Sequence, residues 1–355
     1  MKKLKNWRPA LLALGAAAAG VLVLARGAEA AQGVRRGLEL CGGIVIPSLF
    51  PFMVLSAFLT KSGLSRVLGR PVGLISRPLF RLPGAAGTAV LLSYISGYPV
   101  GGRMAVQLYE SGQVTLAQTR RMLYFTINAG PAMILSAVGA GMLGSPRAGV
   151  ILLVSHILAS VLIGVAIAHL PGSRKEESVP HRASGDASAR TCLLDAFVEA
   201  AADASSGMLG ICAFVVLFAA VLGMLPPLSG ITGAAVSGLL EVTSGCGAAV
   251  GAALGLPAIA AMLGWGGLSV HCQVLSSAYR LRPSMPKFLL ARAAHAGLSY
   301  LLCSLLLPLS GGAVETISNG VQAFASACTV SMPASAALLL MGAVLLWSLS
   351  HKSAE

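Results

Sequence analysis

Charge is scarce in this chain: only 10% of its 355 residues are Asp, Glu, Lys or Arg, where a soluble domain carries about 25%. That shortage excludes a protein whose whole surface meets water. Aromatic residues are scarce too, at 5%, and no basic stretch interleaves with stacking side chains. A nucleic-acid surface is therefore not expected, despite a formal net charge of +13. The seven cysteines, at 41, 192, 212, 246, 272, 303 and 328, are odd in number and mostly sit inside apolar runs. They show no Cys-x-x-Cys or Cys/His spacing, so no metal site is indicated. A phosphate-binding loop, a nucleophile elbow and a zinc-protease helix are also missing. The chain is not expected to be an enzyme, and no cofactor is implied.

What is abundant is apolar sequence, 56% hydrophobic with a mean hydropathy of +0.82. The basic residues fall in short clusters between apolar runs, as positive-inside loops do, so the expected partner is membrane lipid. Lys2, Lys3, Lys5 and Arg8 precede an apolar run from Pro9 to Ala25, followed by Ala28-Glu29-Ala30. This reads as a signal peptide or, in preference, a first transmembrane helix or signal anchor. Leu40 to Thr60 is uncharged and contains Pro47 and Pro51, so it is expected to span with a kink. Lys61, Arg66, Arg70, Arg77 and Arg81, spaced among apolar residues, suit an amphipathic segment on the inner surface.

Two hydrophobic segments are interrupted near their middles, at Ser96-Gly97-Tyr98-Pro99 and Ser244-Gly245-Cys246-Gly247. Each is followed by a second broken segment, at Asn128-Ala129-Gly130-Pro131 and Gly264-Trp265-Gly266-Gly267. Broken helices at corresponding places in two halves point to a transporter-type binding site. Arms of about ten residues are too short to cross, so the first pair reads as re-entrant hairpins with buried or water-lined tips. Placing the amino terminus inside then leaves only Arg26, Arg35, Arg36 and Arg147 outside; full crossings would export more basic residues. The expectation is an all-α, polytopic integral membrane protein with two inverted-topology repeats, each with a re-entrant hairpin and a broken transmembrane helix. Residues 1–36 form the anchor, 37–171 the first repeat, 172–194 a cytoplasmic linker, 195–310 the second repeat, and 311–355 a last helix and tail. A homo-oligomer is compatible with this layout.

The first break offers Ser93, Tyr94, Ser96, Gly97 and Tyr98 as candidates to bind a small polar solute or ion; the competing role is close helix packing. The second offers Glu241, Thr243, Ser244 and Cys246. Glu241 is the only charge between Asp203 and Arg280. An intramembrane carboxylate costs at least ~2.5 kcal/mol facing lipid, so it should face a polar interior. Asn128 either replaces backbone bonds lost at Gly130-Pro131 or reads a ligand. Trp265, Ser269, His271 and Gln273 follow the other break, with Ser269 and Gln273 on one helix face. His156, His169 and His295 read as lone structural residues. Asp195, Glu199 and Asp203 form a stripe best explained by a helix start.

Four stretches carry a family resemblance: Pro47-Ser48-Leu49-Phe50-Pro51-Phe52, Ser96 through Gly102 with Arg103, Gly112-Gln113-Val114-Thr115, and Asn128-Ala129-Gly130-Pro131. Together they resemble the sporulation integral membrane proteins of the YlbJ type, from spore-forming Firmicutes. That family is grouped with proteins carrying the nucleoside recognition, or Gate, domain, as are concentrative nucleoside transporters, the membrane part of FeoB iron transporters and the spore maturation membrane proteins. The resemblance covers roughly residues 35 to 310 and implies a transporter-like core acting in spore formation. Nucleoside transport and a non-transporting scaffold are the alternatives. Nucleoside transporters have a Gln-Thr-Glu-type hairpin tip, where this chain has Ser-Gly-Tyr-Pro and Ser-Gly-Cys-Gly.

Overall fold

The computed structural model describes residues 7–170 and 193–309, which are helical apart from turns and breaks. Helix α1 (Trp7–Ala25) turns by 91° into α2 (Gly27–Leu40). A π-helical turn, Cys41–Val45, joins α2 to α3 (Ile46–Lys61). There the Ile46 N–H reaches Cys41 O, five residues back, just before Pro47, which has no N–H to donate.

Residues 26–36, the outer end of the expected anchor, are largely helical and packed on α9 (Leu193–Met224). Gly33 and Gly37, one turn apart, form a flat track: a Cβ on Gly37 would lie 2.7 Å from Val216 Cα, and one on Gly33 would overlap the Ala219 backbone. Farther along, Cys41 Sγ lies 3.8 Å from Cys212 O, and Lys61 pairs with Glu199 and Asp203 at 3.1 and 2.9 Å. The pairing runs antiparallel over most of the length of α9. The acidic stripe is thus partly a docking point for Lys61, while Asp195 stays exposed.

Basic α4 (Leu64–Phe80) is turned 88° from α5 (Gly84–Ser96), as a surface segment beside an inserted one would be. After α5 come α6 (Val100–Glu110), α7 (Leu116–Phe125), a π-helix (Ala132–Met142) and α8 (Pro146–His169). Thr115 and Gln118 cap α7 reciprocally, and Ser145 caps α8 ahead of Pro146. Beyond α9 the series of hairpin, broken helix and straight helix recurs: α10 (Gly230–Leu240), α11 (Val242–Gly251), α12 (Leu256–Trp265), α13 (Gly267–Ala278) and α14 (Met285–Leu309). Most of the expected linker and the whole expected last span, Ala334 to Ser348, lie outside the described residues.

Four helical stretches among the described residues are long and apolar enough to cross a membrane, or up to six with each bent pair counted as one. Helix α8 shows the lipid-side pattern: Val150, Val154, Leu158 and Leu162 are exposed, while Ser155, His156 and Ser160 are buried. Apolar outside and polar inside is the arrangement of a multi-pass membrane protein. The hairpin arms α10 and α11 have 11 and 10 residues, about 16 Å each, half of a hydrocarbon layer.

Candidate functional site

The first hairpin turns at Gly97, whose φ of +82° ends α5 in a conformation open to glycine. Its tip backbone rests on the following broken helix: a Cβ on Gly97 would sit 2.8 Å from Gly130 N. The second hairpin turns at Glu241, and not at Ser244-Gly245-Cys246-Gly247 as expected; those four residues lie inside α11. Gly245 serves the arms, since a Cβ there would overlap Gly238 Cα on α10. The second tip likewise rests on its own broken helix, with the Cβ position of Gly267 3.0 Å from Val242 N. The halves meet where Tyr98 packs on Gly266 and its hydroxyl donates to Leu263 O at 3.5 Å.

Both tips face one cavity of about 50 Å³, room for a few water molecules. Ser96, Gly97, Tyr98 and Gly130 line it from the first half, and Glu241, Thr243 and Gln273 from the second. Leu49, Met133, Val215 and Val270 complete apolar walls. The remaining candidates stand back from it. Asn128 Nδ2 donates to Ser93 Oγ at 3.3 Å and Phe125 O at 3.0 Å, so both residues brace the break. Tyr94 meets Ser160 at 3.1 Å, Ser269 accepts from Gln273 Nε2 at 3.2 Å, and Ser244 lines a different cavity. Ser96 Oγ is buried without a protein partner.

Glu241 is 2% exposed. Its Oε1 accepts the Thr243 N–H at 3.0 Å and its Oε2 the Ser244 N–H at 2.7 Å. The carboxylate therefore caps α11, satisfying donors that a helix start leaves open. Each oxygen keeps a lone pair for a solute donor.

The break at residues 126–130 is held by side chains whose role no local pattern reveals. Arg292 on α14, 1% exposed, donates through Nη1 to Ile127 O at 2.6 Å and through Nη2 to Tyr124 O. Ser160 Oγ donates to Phe125 O at 2.6 Å, and His156 Nε2 accepts the Ala129 N–H at 2.9 Å. His295 packs on His156, with centroids 4.4 Å apart and the rings tilted by 35°. Neither histidine is lone, and Arg292 lies within α14 with its charge turned onto backbone carbonyls. An arginine and a histidine three residues apart on a long apolar helix were the available signal. At the second break, His271 Nε2 lies 2.9 Å from Trp265 O. Among the described residues, no three His, Cys, Asp or Glu side chains gather as a metal site would require.

The chain is 31% identical over 143 residues to the sporulation integral membrane protein YlbJ of Bacillus subtilis (strain 168). Over that stretch the chain is a relative of YlbJ. The matched part covers 40% of this chain and 35% of YlbJ. No protein-family model and no solved structure matches. The YlbJ-type resemblance in the sequence is thus shown over the matched stretch.

Proposed function

We propose that this multi-pass membrane protein acts in spore formation, as the name of its YlbJ relative suggests, and moves a small polar solute or ion through the cavity between the hairpin tips. The observation carrying this reading is that both hairpin tips and the first broken helix line one cavity, with the second broken helix packed beside it at Gly267, and that this cavity holds the only charge between Asp203 and Arg280. Backbone freed at such breaks needs partners, and a solute or water in the cavity supplies them where protein does not. The inverted relation of the halves and the cytoplasmic amino terminus belong to the same proposal.

Purified protein in liposomes, screened with nucleosides, dipicolinate and metal ions, should take up a solute, and Glu241→Gln should abolish that uptake. Because Glu241 also caps α11, Gln273→Met is the second variant: it removes a cavity amide without touching a cap. Normal uptake in both variants would remove the cavity from the mechanism.

The engagement of both Glu241 oxygens in capping α11 also favours a scaffold that has kept a transporter-like core. A scaffold should tolerate Ser96→Ala with Ser244→Ala and lose spore yield on charge reversal of Arg66 and Arg70. The transport reading expects the opposite order.

A further inference from the structure

Three cavities follow one another along α9, and the helix packed against it follows the same course. On α9, Ser206, Gly207 and Gly210 line the first, Ile211 lines the first and the central one, and Val215 the central one. Ala219, Leu222 and Gly223 then line the third. The antiparallel α2–α3 helix lines two of the three in the matching order and ends beside the first. Arg26, Glu29 and Arg36 line the third cavity, Ile44, Val45 and Leu49 the central one, and Met53 and Ser56 adjoin Arg103, which lines the first. From Ser206 to Gly223 a helix rises about 26 Å, close to the roughly 30 Å of a hydrocarbon layer.

The partitions are thin. Gln273 and Ile211 border both the first and the central cavity. On the other side Glu241 faces the centre while Ser244, whose N–H it accepts at 2.7 Å, faces the third cavity. The outer spaces are larger, about 250 and 510 Å³. Their net charge is positive on both sides. Arg103 lies across Gly207 and donates to Asp203 O at 3.3 Å, while the Asp203 carboxylate is taken by Lys61 at 2.9 Å. In the third cavity Arg26 and Arg36 outnumber Glu29.

We propose that the three cavities are segments of one path across the membrane. It is interrupted by Gln273 with Ile211 on one side of the centre and by the Glu241 cap on the other, and its arginine-lined mouths admit neutral or anionic solutes in preference to cations. The proposal rests on the transport reading of the central cavity and adds to it the two gates and the sign of the cargo.

The test is cysteine accessibility in oriented membrane vesicles. Ser276→Cys in the first cavity and Ser237→Cys in the third are reacted with two impermeant methanethiosulfonates, one carrying a sulfonate and one a trimethylammonium. Rates are taken against the parent chain, whose own cysteines set the background. The two positions should react from opposite sides. At Ser276→Cys the sulfonate reagent should gain over the ammonium reagent, relative to a free thiol, and Arg103→Gln should cut that preference about fivefold. That is the contrast one unit charge makes between opposite reagent charges roughly 8 Å away in water. Arg103→Lys should keep it. Arg36→Gln makes the same comparison at Ser237→Cys, so a misfolded Arg103→Gln leaves the claim testable. Reaction of both cysteines from one side would overturn the path, and a preference unmoved by loss of either arginine would overturn the charge selection. Opposite-sided cysteines without solute uptake would refute transport alone, whereas uptake with same-sided cysteines would refute only the path.

Discussion

The contact that best tests the account of the first break is the one between His156 and the Ala129 backbone. The Ala129 N–H lies outside any helix ladder, and its acceptor is His156 Nε2 at 2.9 Å. Both residues are 1% exposed, so no lipid or bulk water can replace the bond. His156→Phe keeps a ring against His295 but removes the acceptor. A buried donor left unpaired costs about 1–3 kcal/mol, which is about a 5- to 150-fold shift in the local opening equilibrium at 1.36 kcal/mol per decade. Hydrogen–deuterium exchange of purified protein should therefore show residues 126–130 losing protection by that factor, with α9 unchanged. His156→Gln returns a carbonyl oxygen on a flexible arm and should recover part of the protection. Equal protection in the parent and in His156→Phe would show that the break is held some other way, and the reading of His156 as its brace would be wrong.

Gly245→Ala should lower the thermal midpoint in detergent, with the 1–3 kcal/mol typical of overpacking, because its Cβ would overlap Gly238; Gly247→Ala, which has open space around it, should stay within about 0.5 kcal/mol. Equal effects would restore residues 244–247 as the hairpin tip. Lys61→Met breaks ion pairs whose acidic partners are 62% and 48% exposed, so its cost in the same melt should not exceed about 1 kcal/mol. Cysteines at Arg77 and Gly112, both exposed, should label from the same side of the membrane; labelling from opposite sides would turn the first hairpin into a full crossing.

Length and hydropathy determined the membrane class and most spans, because a bilayer imposes its thickness on any apolar run. Gly97-Tyr98-Pro99 placed the first hairpin tip locally, since glycine supplies a positive φ and proline withholds an N–H whatever surrounds them. The second tip was misplaced for a related reason. Ser244-Gly245-Cys246-Gly247 looks like a break, yet small residues also let helices touch, and only the packing of Gly245 on Gly238 chooses between the two uses. The turn at Glu241 carried a weaker signal, an acid that caps a helix through its own side chain. Tertiary structure alone revealed the braces of the first break: Arg292 reaches carbonyls 165 and 168 residues away, and His295 bonds to a carbonyl 139 residues away. A local pattern records which backbone groups a break releases. Which distant side chain satisfies them is decided when the helices pack, because the cost of a buried unpaired group is met by whatever donor or acceptor the fold brings within reach.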